Sequence, residues 1–153
     1  MDMPGIDAQP ADQLIGQLEH QQVLAEELWE LAQRQGALVE AGDSEGLLSL
    51  LAQRQSVTDR FLAAQQGMSG LCEACRAAGE APAPSRQRIA ALMGGVTRRL
   101  EEILARDEQD RALLEACRAR NAQELSGLGA ARDAQRAYVG ARTVTNRFAD
   151  RKG

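Results

Sequence analysis

Only four aromatic residues, Trp29, Phe61, Tyr138 and Phe148, occur in 153. Valine and isoleucine are sparse too, so there is little of the β-branched and ring-bearing material that strands are made from. A single histidine, His20, rules out a credible Ser/His/Asp set and any histidine-rich metal site. No apolar run approaches the roughly 18 residues that a membrane crossing needs. The opening MDMPGIDAQPADQ is acidic and polar, the opposite of a secretory leader. The expectation is a cytoplasmic protein with no membrane insertion, and three cysteines, an odd number, fit reduced thiols there. Neither Gly94-Gly95 nor Gly127-Leu128-Gly129 is followed by the Lys-Ser/Thr of a phosphate loop. These absences point away from an enzyme and from any cofactor.

What the chain has is leucine and alanine, both strong helix formers. The predicted fold class is all-α: an antiparallel helical hairpin plus a long third helix, a three-helix bundle or coiled coil with disordered termini. The length suits one domain. Residues 1 to about 10 read as disordered, because Pro4-Gly5 and Pro10 interrupt regular structure. The helical domain covers 11–138, with helices at about 11–41, 44–78 and 86–138, and 139–153 reads as a flexible tail without a helical stripe.

On the first helix, Leu14, Leu24, Leu28, Leu31 and Leu38 form a seam interrupted by Gln17, Gln21 and Gln35. Gly42 is placed to end it in a left-handed cap, and Asp43 or Ser44 to cap the next. So short a link sets the two helices antiparallel. The second helix has the most regular register: Leu47, Leu50, Val57, Phe61, Ala64, Met68, Leu71, Cys75 and Ala78, with Arg54 as the one polar member. Gly67 and Gly70 weaken its later half. AAGEAPAPS, with two prolines in three residues, reads as a loop, and Ser85 as the cap of the third helix. That helix carries Ile89, Met93, Val96, Leu100 and Ile103, then Asp107 and Asp110, then Leu114, Cys117, Asn121 and Leu128.

Charge is unevenly spread. Residues 1–31 hold seven acids and no Lys or Arg, and residues 132–153 hold six bases against two acids. The two ends can attract each other or stay solvated. Nucleic-acid binding is not expected, since the chain is acidic overall, at −4, and most bases sit near acids.

Candidate chemistry is thin. Cys72-Glu73-Ala74-Cys75 has the spacing of a zinc or redox pair, but a structural zinc needs four ligands, and only Cys117 and His20 are left to supply the rest. Both thiols read as small core residues. Asp107 and Asp110 share a helical face without the histidine of a carboxylate metal site. They read as a segment that leaves the core and meets water, with Arg106 and Arg111 nearby. Trp29 reads as the covered edge of a thin core. Tyr138 reads equally as a docking ring and as a cover for the helix end.

Three segments together resemble the FlgN-type flagellar secretion chaperones. They are LWELAQRQGALVEAGDSEGLLSLLAQRQSVTDRFLA (28–64), LLEACRARNAQELSGL (113–128) and Tyr138 with Gly140. The resemblance implies a cytoplasmic export chaperone that binds hook-filament junction subunits before flagellar type III secretion and delivers them to the export gate. Carried onto this chain, it implies client contact through Leu114, Cys117, Asn121, Leu125 and Leu128, and gate docking through Tyr138. The glycines at 127 and 129, the Pro-rich loop and the Asp107/Asp110 interruption depart from that pattern. The competing reading is a structural coiled-coil or oligomerisation module without a client, and a homodimer stays open under either.

Overall fold

The computed structural model describes the backbone of residues 9–149 and the side chains of residues 9–142. Among these residues all regular structure is helical: α1 spans Pro10–Ala41, α2 Ser44–Gln66, α3 Met68–Ala77 and α4 Ala83–Ala149. None of these helices is long and apolar enough to cross a membrane. By contacts the chain divides into two units, Met1–Arg111 and Ala112–Gly153, with α4 contributing to both.

In the first unit, α1 is the shared partner. Its buried residues run from Ala11 and Leu14 through Leu24, Leu28 and Leu31 to Val39. They occupy a broad arc, wide enough to serve two neighbours. The buried residues of α2, Leu50, Val57, Phe61 and Ala64, form a single line. Leu92, Val96, Ile103 and Asp110 form another on α4. One core cluster joins Leu24, Leu28, Leu31, Leu50, Val57, Phe61, Val96 and Ile103, with Trp29, Leu38 and Leu100 against it. A smaller cluster joins Leu14, Leu18 and Leu92, covered by Met68, Leu71, Cys72, Cys75 and Ile89. The two thiols of the CxxC pair therefore serve as half-buried packing residues.

The α1–α2 corner forms as its sequence predicts. Gly42 adopts φ +66°, a left-handed conformation that favours glycine. Its amide bonds Val39 O at 3.2 Å, and that of Asp43 bonds Leu38 O at 3.1 Å. The Asp43 carboxylate, not Ser44, accepts the Gly46 amide at 2.9 Å and caps α2.

Five sequence expectations are corrected. Pro10 starts α1 rather than preceding it; its fixed φ and missing amide suit a first turn. The second helix is two, because the ladder breaks at Gly67, where no side chain supports it. The last helix begins at Ala83, with Pro84 tolerated in its first turn, and Ser85 lies inside it rather than capping it. Leu92, not Met93, faces the core, and Met93 is exposed. Finally, α4 continues past Tyr138 to Ala149, where a flexible tail was expected. No proline interrupts 139–149, and one glycine, Gly140, costs a helix only about 1 kcal/mol. The expected disorder of 1–8 and the side chains of 143–153 lie outside the described residues.

Three acids of α1 find partners within this first unit. Glu27 pairs with Arg60 at 3.2 Å, Glu19 with Arg88 at 3.3 Å and Glu26 with Arg99 at 2.8 Å. Arg99 also bonds Glu102 and lies over the Trp29 ring, 5.3 Å from its centroid. Trp29 is half-buried against the main cluster, as a core-edge residue.

Candidate functional site

Two arrangements carry more chemistry than the rest of the chain, one in each unit. In the first unit a polar cluster interrupts the leucine core. Arg54 of α2 reaches Asp107 of α4 with both terminal nitrogens, at 2.7 and 2.8 Å. The same guanidinium donates to Gln35 Oε1 of α1 at 2.6 Å. Gln35 donates onward to Asp110 Oδ2 at 3.5 Å, and Arg106 Nε stands 3.6 Å from Asp110 Oδ1. Gly36 makes room for this, since a Cβ there would collide with the Arg106 guanidinium.

Asp110 is 3% exposed, which overturns for that acid the expectation of meeting water, while Asp107 is half-buried. Burial pushes the Asp110 carboxyl up, and so do Asp107 and Glu40, against the opposing pull of Arg106 and Arg54. The hydrogen bond to Asp107 holds the Arg54 pKa above its ordinary value despite burial. Arg106 Nε is buried without a hydrogen-bond partner, because Asp110 lies slightly too far away. The cluster has two cations, two anions and an amide facing each other. No group of three metal-ligating side chains occurs among the described residues, and the members of the cluster are taken up with one another. Its chemistry is that of a register-setting polar layer.

The second unit holds the six sequence-predicted site residues, all on α4. Leu114, Cys117, Asn121, Leu125 and Leu128 follow at steps of three or four residues and so share one face. Leu114 is 43% exposed, Leu125 70% and Leu128 66%. Cys117 is half-buried, its sulfur accepting from Arg120 at 3.3 Å. Asn121, Glu124, Leu125 and Leu128 line a shallow hollow. Tyr138 is 68% exposed but does not join this face: at about 100° per residue it lies roughly a quarter turn to one side.

The chain matches no protein-family model, no curated protein and no solved structure. What the second unit can do must be read from its own residues. They offer an apolar line suited to another helix, edged by amide and carboxylate groups. Sequence reasoning missed that Arg132 and Arg136 extend this face. The signal is in the spacing, since each follows its predecessor on the face by four residues, and a charge total along the sequence does not show it.

Proposed function

We propose that the exposed face of α4 within 112–142 holds an amphipathic helical segment of another polypeptide, as an export chaperone does. One observation carries this reading: Leu114, Leu125 and Leu128 stand on one face of a regular helix and are exposed, Leu125 and Leu128 by about two thirds and Leu114 by 43%. Isolated exposed leucines are ordinary, but a row at helical spacing is a helix-sized contact surface. Enclosing a small substrate needs a concave pocket, and this face is a line along a single helix.

The finer reading rests on the resemblance of 28–64, 113–128 and Tyr138 with Gly140 to the FlgN-type chaperones. On that reading the protein works in the cytoplasm, its clients are hook-filament junction subunits, and Tyr138 meets the export gate. Tyr138 is exposed and off the leucine face, so it can be contacted while the face is occupied. Holding should be moderate in strength, because ordering a client segment costs free energy and the client must later leave.

Affinity capture of the full chain from its native extract tests this. Wild type is expected to retain one or two secretion subunits at fixed ratio. Leu125→Asp should lose them with helicity unchanged, as judged by circular dichroism. Clients retained by that variant would move the binding surface elsewhere, and recovery of self-oligomers alone would favour the structural coiled-coil module. Tyr138→Ala should keep client binding and lower export.

A further inference from the structure

The face that carries Leu114, Leu125 and Leu128 changes character beyond Leu128. Arg132 follows Leu128 by four residues and Arg136 follows Arg132 by four, so both continue the same line along α4. Arg142 borders that line farther on, and Arg118 borders its apolar part. All four arginines are exposed. Among the described residues none of them takes part in an ion pair. Glu115 and Asp133 stand roughly a third of a turn from the leucine line, with Asp133 about a sixth of a turn from Arg136. The surface is therefore two-part: leucine over 114–128, guanidinium over 132–142.

A uniformly apolar guest would leave the second part facing hydrocarbon, stripping water from charged groups without return. A guest with matching chemistry gains forked, charge-assisted bonds there. On the reading of 112–142 as a client-binding face, we infer that the guest is an amphipathic helix whose apolar stripe runs into an acidic stretch. Its stripe covers Leu114, Leu125 and Leu128, and its carboxylates meet Arg132 and Arg136. The leucines supply most of the holding, and the arginines supply register and choice of guest. A polypeptide suits the face better than an anionic membrane, because Glu124 edges the apolar part and would be driven into the headgroup layer.

Isothermal titration of the full chain tests the inference with two synthetic helices of identical leucine stripe, one ending in glutamates and one in lysines. Vesicles of phosphatidylglycerol form a third arm. The glutamate helix is expected to bind wild type roughly tenfold more tightly than the lysine helix at low salt. Added salt should narrow that gap. In the Arg132→Glu/Arg136→Glu variant the preference should invert while circular dichroism stays the same. Equal affinity for both helices, insensitive to that variant, overturns the inference and leaves the client-binding face standing. Binding of neither helix, together with client capture that survives Leu125→Asp, overturns both. Tighter binding to the vesicles than to the glutamate helix overturns the inference in favour of a lipid surface.

Discussion

Arg54 and Asp107, separated by 53 residues in sequence, meet through two parallel hydrogen bonds of 2.7 and 2.8 Å. They tie α2 to α4 directly, while Gln35 of α1 bonds the same guanidinium. The three helices thus meet at one fixed point. Leucine seams alone would tolerate a slip of one turn; the forked pair does not.

Replacing Arg54 by Met should lower stability by about 1–3 kcal/mol, since Asp107 and Gln35 would lose their donor in a mostly water-poor site. Arg54→Lys should recover only part of this, because an ammonium cannot satisfy both carboxylate oxygens in parallel. Urea denaturation of the three proteins at neutral pH checks the order wild type, Lys, Met. A Lys variant as stable as wild type would show that charge alone suffices.

Asp110 should give the chain a specific acid-range signature. Its folded carboxyl titrates above its unfolded value of about 3.9. Between those two values the folded state binds the extra proton, so this group's contribution to stability falls as pH rises through the window. Asp110→Asn removes the titration. The stability of the variant minus that of wild type should therefore grow more favourable from about pH 4 upward and level off above the raised value. Denaturation midpoints across that range provide the measurement; a difference independent of pH would contradict it.

Two glycines should respond to alanine with opposite sign. Gly67 has ordinary helical angles, φ −78° and ψ −10°, and a Cβ there meets nothing within 4 Å. Gly67→Ala is expected to stabilise by about 0.4–1 kcal/mol and to favour an unbroken helix across the α2–α3 junction. Gly42 sits at φ +66°, so Gly42→Ala should cost about 1 kcal/mol even though space is open. Thermal melts of both variants against wild type decide the point.

Leucine truncations should separate the buried from the offered. Leu24 is 0% exposed in the main cluster, and Leu24→Ala should cost about 2–5 kcal/mol. Leu125→Ala should change stability by no more than about 0.5 kcal/mol. A large loss at Leu125 would mean that its face is already covered in the free protein, and the client reading would fall with it.

The helices and their first turn were legible because they depend on local signals: leucine spacing, Gly42 followed by Asp43, and the near absence of strand-forming residues. The Gly67 break is half legible, since glycine propensity marks a weak point in a helix without fixing whether the helix ends there. The choice of Leu92 over Met93 was not, because neighbouring apolar residues both fit a stripe until a partner helix fixes its rotation. The polar layer escaped for another reason. Gln35, Arg54, Asp107 and Asp110 come from three separate segments, and each alone reads only as a polar interruption of its own seam. Only assembly shows that they satisfy one another. Spacing alone puts Leu114, Leu125 and Leu128 on one face, whereas Arg132 and Arg136 join it only when charge is followed around the helix instead of along the sequence.

Trp29 and Tyr138 are the only tryptophan and the only tyrosine, and each unit holds one of them. The indole sits beneath the Arg99 guanidinium at the core edge, whereas the phenol is in solvent. Indole emission will therefore follow the opening of α1 from α4, and phenol emission the surroundings of the later part of α4. The protein is its own two-channel optical probe, able to separate opening of the first unit from changes around the later part of α4 without any attached dye.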